Sequence, residues 1–373
     1  MALPLGGELG IRLVLWMGST VPLPAPPSVL QALTSVEVTA DREKGDGVQL
    51  VFALVKDRTL DYALLREPLF TPGNRIVAGV LMGILPEILL DGVITHQQVS
   101  AGQDGTFTVT GQDISGGVMG LEEKDQPFDN QPDSVIALRI IGGYARYGLA
   151  PAVTPTSDVP LSVDRTPRQH ETDLACLRRL AERNGFVFYI EPVTLGVNTA
   201  YWGPENRLGL PQPALTKDMG AMSNVKSLSF SFDAMEPVAP QGVFVDPIFK
   251  LSIPIPGLPS LRVPPLAASP APALRSTKVR DTANKNAATA ATTLLAAATN
   301  APNAVTGDGE VDTAAYGHVL RPRRLVGVRG SGLSLDGLYT VDSVTHKLSR
   351  GEYTQHFKIS REGLGTTTPV LPV

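Results

Sequence analysis

The chain has 373 residues, of which 36 are glycine, 32 are proline, 43% are hydrophobic and 18% are charged. The apolar content is enough for folded cores, and the glycine and proline excess favours turns and extended strands, which argues against a coiled coil, a helical bundle or a collagen-like repeat. The formal charge of -4 offers no basic excess to neutralise phosphates, so no specific nucleic-acid binding is expected, and the lone cysteine, Cys176, allows neither an intrachain disulfide nor a cysteine zinc cluster.

In chain order, residues 9–17 are apolar but contain Arg12, follow Glu8 and have no basic segment before them, so they read as a strand and not as a signal peptide. Residues 35–40 alternate, with Val36 and Val38 on one side and Glu37 and Thr39 on the other. Residues 48–55 are a run of strand formers. Residues 76–94 match a membrane span in length. Pro86, Glu87 and Asp91 lie inside that window, and Gly79, Gly83 and Gly92 read as strand punctuation, so no membrane insertion is expected. Residues 106–110 place Phe107 and Val109 on one face, and Gly45, Gly47, Gly102 and Gly105 mark hairpin turns. Short strands joined by such turns suggest a barrel or a sandwich.

The middle is mixed. Residues 132–147 carry Val135, Ile136, Ile140, Ile141 and Tyr144 on one helical face, with Asp133 or Asn130 as the cap and Gly148 after the end. The clearest helix is 173–184: Thr172 caps it, Asp173 suits the positive end of the dipole, Leu174, Leu177, Leu180 and Ala181 form one stripe, and Gly185 terminates it. Residues 186–190 read as a buried strand and residues 225–232 as an alternating one, with Leu228, Phe230 and Phe232 on one side. Residues 237–272 then hold ten prolines, which excludes a helix or a central strand and predicts an extended arm packed on a surface. Its Phe244, Ile248, Phe249, Leu251, Ile253 and Leu258 argue against a solvated linker. Residues 277–299 are alanine-rich and helical by propensity, 303–313 read as a polar loop, and strands return at 324–328, 338–344 and 353–359.

Chemistry is sparse. His170-Glu171 begins a zinc-protease motif, but Leu174 stands where the second histidine belongs. His346 and His356 flank a predicted hairpin at Arg350-Gly351 and read as satisfied strand residues; His96 and His318 belong to no pattern. Gly327, Gly330, Ser331 and Gly332 spell neither a nucleophile elbow nor a dinucleotide fingerprint. Glu122 and Glu123 are adjacent and point apart on a regular strand, a poor acid–base pair. No catalytic, cofactor-binding or metal-binding residue is assigned, and no enzyme is expected.

Three stretches carry a resemblance. Residues 107–149 contain a strand, a turn with Gly111 and Asp113, and a following D-S-x-I-A helix that runs to Y-G-L. Residues 172–191 contain a helix and strand with Leu177, Leu180, Ala181 and Gly185 in place. Residues 320–361 contain Gly337, Tyr339, Val341, Val344 and His346 before a hairpin, then Tyr353, Thr354 and Phe357. In this order they resemble the phage late control gene D proteins, which are similar to the N-terminal hub part of VgrG spikes. The resemblance covers about a third of the chain.

It implies a β-rich α+β fold: two tail-tube-like β-barrel domains with an intervening mixed α/β domain and an insertion in the second barrel. The implied boundaries are 1–125 for the first barrel, 126–222 for the mixed domain, 223–236 with 310–373 for the second barrel, and 237–309 for the inserted Pro-rich arm and Ala-rich helix. It also implies a homotrimeric baseplate hub, made in the bacterial cytoplasm, whose three chains present six barrels around a channel. Such a hub joins the sixfold inner tail tube to the threefold spike of a contractile phage tail or contractile injection system. The implied partners are further copies of the chain, a spike protein, inner tube or tube-initiator proteins and other baseplate proteins. No OB-fold domain or β-helix needle stands before Val373, so the spike is expected to be a separate protein. Two other functions stay open: a baseplate-associated cell-wall hydrolase, and a binding module using the Pro-rich arm, in which Pro256 and Pro259 match P-x-x-P.

Overall fold

The structure is a computed structural model that describes residues 3–4, 10–56, 61–83, 85–102, 105–156, 167–245, 252–255, 262–279 and 287–368. It is strand-rich with an α+β middle, as the sequence predicts. No helix among the described residues is long and apolar enough to cross a membrane.

The N-terminal third contributes six principal strands: β1 (Arg12–Gly18), β2 (Leu33–Asp41), β3 (Gly47–Ala53), β4 (Arg75–Leu81), β5 (Pro86–Ser100) and β6 (Thr106–Asp113). Alternate residues face inward, such as Leu13, Leu15 and Met17 on β1 and Val36, Val38 and Ala40 on β2. The window long enough for a membrane span is instead the hairpin β4–β5, much of it buried on both faces. Gly92 is required there, because a Cβ would lie 2.0 Å from the Gln112 carbonyl oxygen on β6. Phe52, Phe70 and Phe107 fill this core with ring centroids 5.0–6.0 Å apart.

The middle unit comprises β7 (Glu123–Pro127), α1 (Asp133–Gly142), β8 (Leu149–Val153), β9 (Arg168–Thr172), α2 (Asp173–Asn184), β10 (Val187–Thr194) and β11 (Val197–Gly203). Both helices share a second core with the three-stranded sheet β8-β11-β10. Helix α2 starts and stops as its sequence dictates. Thr172 Oγ1 accepts from the Ala175 N–H at 3.2 Å, and Gly185 closes the helix in the left-handed region at φ +68°. Helix α1 corrects the expected cap: Pro132 precedes it, and neither Asp133 nor Asn130 caps it. The Asp133 carboxylate accepts from Arg183 and Asn184 at the end of α2 instead, so an interhelical ion pair displaces the local cap.

The last part begins with β12 (Gln212–Thr216) and β13 (Val225–Phe232). An insertion follows: β14 (Val238–Val245), β15 (Ser252–Ile255), β16 (Ala267–Pro270), β17 (Arg275–Val279) and α3 (Ala287–Thr299). Then come β18 (Val305–Asp312), β19 (Leu325–Arg329), β20 (Gly337–Ser349), β21 (Glu352–Arg361) and β22 (Gly363–Thr366). Two expectations are corrected here. Residues 303–313 are not a loop, because β18 lies between β13 and β21. Its glycines disguised it. A Cβ on Gly309 would lie 2.4 Å from the Ser227 carbonyl oxygen and 2.6 Å from the Phe357 ring, and one on Gly307 would lie 2.9 Å from Ile359. The Pro-rich segment does supply a central strand. β14 pairs with β17 through residues 238–242 and with β15 through residues 242–245, so among the described residues Pro240 has a strand neighbour on one side only. Of the apolar residues expected to anchor this arm, Ile248, Phe249, Leu251 and Leu258 lie outside the described residues.

The two outer thirds have the same strand order. Numbered within each third, the strands lie first, fourth, fifth, sixth, third, second: β1-β4-β5-β6-β3-β2 and β12-β19-β20-β21-β18-β13. The irregularities coincide as well. The fifth strand is bulged between Ile94 and His96 in one and between Val341 and Ser343 in the other. The second strand is bulged between Leu33 and Ser35, and between Val225 and Ser227. The first strand differs, pairing antiparallel in one third and parallel in the other. The insertion occupies the second-to-third-strand connection, where the first third has the short hairpin 42–46. Among the described residues no strand pair closes either half-sheet on itself; β2 pairs with β20, and the two halves form one continuous sheet.

The crowding at Gly309 makes a direct prediction. Gly309→Ala lowers unfolding free energy by about 1–3 kcal/mol, whereas Gly83→Ala, where a Cβ meets nothing within 4 Å, changes it by less than about 0.5 kcal/mol. Chemical denaturation of the two variants checks it.

Candidate assembly interface

The seam between the half-sheets is an antiparallel ladder running from Ser343 opposite Asp41 to Ser349 opposite Ser35. Its inner face is dry. Val36 faces Leu348 and Val38 faces His346, all buried, and Leu348 and Tyr353 belong to the core of the N-terminal half. His346 Nδ1 is hydrogen-bonded to the Tyr353 hydroxyl at 2.9 Å. Burial, reinforced by the Arg321 charge, pushes the His346 pKa down to about 3, so the imidazole is neutral and structural. The outer face is polar, with the Thr39 and Thr345 hydroxyls 3.3 Å apart and Lys347 Nζ 3.8 Å from Glu37.

Buried ions fix the seam and the middle unit against it. Arg323 reaches from the second half to the hairpin of the first, with Nη2 2.5 Å and Nη1 3.2 Å from the Asp46 carboxylate, and Nη2 also donates to the Asp41 carbonyl. Its guanidinium lies 4.9 Å from the centre of the Tyr189 ring, so one side chain touches all three parts. Arg323 sits in the left-handed region at φ +64°, where the equivalent residue of the first half is Gly73 at +89°. The equivalence is set by hydrogen bonding: Gly73 N donates to Ile94 O and Ile94 N to Asn74 O, as Arg323 N donates to Val341 O and Val341 N to Arg324 O. Asp113 lies beside Asp46, and burial followed by that negative neighbour pushes its pKa from 3.8 up to about 6. Elsewhere Arg75 makes a bidentate pair with Asp91 at 2.8 and 2.6 Å, and Asn198 of the middle unit donates to the same carboxylate at 2.9 Å. Arg42 of the first half meets Glu205 at 2.8 Å, Arg207 meets Glu362 at 3.3 Å, and Glu362 accepts from the Leu266 N–H of the insertion.

Two strand edges that correspond to the seam carry no partner among the described residues. One is β13, the last strand of the sheet. The other is the outer half of β5, which pairs with β6 on one side while β4 covers only residues 86–93 on the other. Thr95, His96 and residues 98–100 are exposed there, whereas every second residue of β20 is buried where β2 covers it, with half-buried residues and the exposed Lys347 between.

The residues singled out for chemistry do not converge. His170 is exposed beside Asp125 at 3.1 Å, and Leu174 lies within α2. His346 and His356 do not face each other: His346 is opposite Gln355, and half-buried His356 lies 3.9 Å from Glu310. Gly330, Ser331 and Gly332 form the loop between β19 and β20. Cys176 is buried, and its thiol pKa is pushed up to about 11 by that burial. Among the described residues no group of three or more His, Cys, Asp and Glu side chains could hold a metal ion. The sequence reading missed the ion network and the paired edges. One signal was present: residues 35–41, S-V-E-V-T-A-D, and 227–233, S-L-S-F-S-F-D, share their apolar positions and both ends.

No family model and no curated protein sequence matches the chain. Solved structures do. A tail protein from Neisseria meningitidis MC58 superposes with a TM-score of 0.64 at 12% identity, over 95% of this chain and 98% of that one. The 43 kDa tail protein of prophage MuSo2 from Shewanella oneidensis gives 0.63 at 14% identity, over 94% and 98%. An E. coli component of the type VI secretion system, described as structurally similar to the T4 tail proteins gp27 and gp5, gives 0.53 at 12% identity, over 91% and 77%. The chain therefore has the fold of tail proteins of this kind.

Two outcomes follow from the ion network. Arg323→Ala leaves Asp46 buried without its cation and lowers stability by about 3–5 kcal/mol, while Arg323→Gly recovers about 1 kcal/mol of that because the left-handed backbone costs glycine nothing; equilibrium denaturation of both variants measures it. For Asp113 the folded pKa lies above the unfolded one. The proton it holds therefore stabilises the native state fully below about pH 4, and that contribution is lost as pH rises through about 6. Asp113→Asn mimics the protonated form, so its stability relative to wild type is greater at pH 7.5 than at pH 4 by on the order of 2–3 kcal/mol. Urea denaturation at the two pH values tests the sign.

Proposed function

We propose that the chain is a structural baseplate hub of the late control gene D and VgrG N-terminal type. It acts as a homotrimer that joins the sixfold inner tail tube to the threefold spike of a contractile phage tail or contractile injection system, and lines the channel. The observation that carries this reading is the duplicated strand order: two equivalent half-sheets, fused edge to edge in one chain, let three chains supply six units. The shared fold with tail proteins supports it. On this reading residues 1–125 form one tube-like unit and 126–211 the mixed domain; the second unit takes 212–236 with 305–373, wider than the 223–236 with 310–373 expected from sequence because β12 and β18 belong to its sheet, and 237–304 remain as the insertion. Its partners are a spike protein, the tube or its initiator, and other baseplate proteins. The role is assembly and not catalysis.

Light scattering on the purified chain, alone and with its spike, tests the reading. The expected mass is that of three chains of 39.5 kDa. A monodisperse monomer under both conditions would sink the hub assignment.

A further inference from the structure

The seam between β2 and β20 has a counterpart that a single chain leaves open. The position-by-position equivalence of the half-sheets says where. Aligning the bulges of the second strands places Ser227 on Ser35, Phe230 on Val38 and Phe232 on Ala40. Aligning the bulges of the fifth strands places His96 on Ser343, Gln98 on Thr345 and Val99 on His346. Inside the chain, the second strand of the first half pairs with the fifth strand of the second half. The strands left over are the second strand of the second half and the fifth strand of the first half, the two edges without partners among the described residues.

We infer that β13 of one protomer pairs antiparallel with residues 96–102 of the next, in the register that puts Phe230 opposite Val99, Ser231 opposite Gln98 and Phe232 opposite Gln97. The occupant of each edge is therefore a second copy of this chain, bound head to tail. This deepens the trimer reading and rests on it for the number of chains that closes the ring.

Three observations favour a second copy over any other occupant. First, the intrachain ladder already demonstrates that these two strand types fit each other, with a dry face and a polar face. The translated pairing keeps that division: Val99 and Phe230 take the buried positions of His346 and Val38, while Gln98 and Ser231 take the outer positions of Thr345 and Thr39. Second, the central stretches of both edges lack the devices that protect an edge strand, Lys226 and Asp233 standing only at the two ends of the second. Residues 95–102 and 227–232 contain no Asp, Glu, Lys, Arg or Pro, in a chain that is 18% charged. Third, apolar side chains are left in water there, with Val99 45% and Phe232 50% exposed. An edge of this kind, left open, would recruit strands indiscriminately; closing into a ring removes it.

The interprotomer seam is not a full copy of the intrachain one. Arg323 corresponds to Gly73, so the buried cation is absent on that side, and the hairpin carrying Asp46 is replaced by the insertion. The new seam is held by its ladder and apolar pairs without the central ion pair.

Cysteine pairs test the register. Facing residues of an antiparallel ladder have Cα atoms about 4.5 or 5.5 Å apart, within disulfide reach. Native Cys176 is buried and offers no competing thiol. The double variant Gln98→Cys/Ser231→Cys uses two exposed positions, so folding is little affected. On mild oxidation it is expected to give a covalent ladder ending at three chains, whereas Gln98→Cys/Phe232→Cys, slipped by one residue onto the opposite face, stays single. Val99→Cys/Phe230→Cys is the second pair in the same register. Mass measurement before oxidation separates the two claims. A trimer that cross-links through the slipped pair, or through none of the three, overturns the edge pairing and leaves the trimer standing. A monomer before oxidation overturns both. Cross-linking to a co-purified protein of another mass in place of a second copy also overturns the inference.

Discussion

The ladder between β2 and the second half of β20 is the contact from which the other arrangements follow. It joins two half-sheets that otherwise have separate cores, and its register is not free to drift. A slip of one residue would turn Val36 and Val38 outward and bring Glu37 and Thr39 into the core. Burial on one face thus sets the register, and the register sets where the hairpin 42–46 meets Arg323. Charge then completes what strand pairing began. A buried ion pair adds little net stability over a well-packed apolar pair, but it penalises any arrangement in which its partners miss each other. Arg323 with Asp46 and Arg42 with Glu205 each join parts of the chain far apart in sequence, and the Arg75–Asp91 pair of one hairpin reaches the middle unit through the Tyr147 carbonyl and Asn198. They give the three cores one relative placement, which strand pairing at a single edge would leave looser.

The sequence made some of this plain and hid the rest, for physical reasons. Helix 173–184 was legible to the residue because its cap, stripe and terminating glycine are local chemistry. The β character of the first third was legible because one face of each strand is buried, so hydrophobicity alternates. β18 was illegible: V-T-G-D-G-E-V-D lacks side chains where Phe230, Phe357 and Ile359 occupy the space above it, and it reads as a loop until those neighbours are in place. β14 was hidden in a similar way, since Pro240 excludes a ladder on both sides and only the pairing shows that one side is used. The ion network could not be seen, because Asp46 and Arg323 acquire their meaning only through the fold. The repeat at 35–41 and 227–233 was visible but too short to read without the common strand order.

The histidines show how a family-like pattern and a chemical site differ. His346 stands at a matched position of the resemblance and its place in the fold is one of packing: burial holds it neutral, it is bonded to Tyr353, and it fills the seam. Arg323 is the converse, a residue with no motif that holds all three parts together.

The first core also has a history in time. It is lined mostly by residues before position 110, but Val319, Leu348 and Tyr353 close one side of it. A ribosome delivers the chain from its N-terminus at roughly 5–20 residues per second. The N-terminal half therefore emerges with one edge of β2 uncovered and must wait on the order of ten seconds to a minute before its last wall is made. During that interval the uncovered edge of β2 is open to pairing with other strands. Side-by-side synthesis of many copies would make the wrong neighbour available before the right one, so the yield of correct product should depend on translation rate and on holdase chaperones more than on final stability.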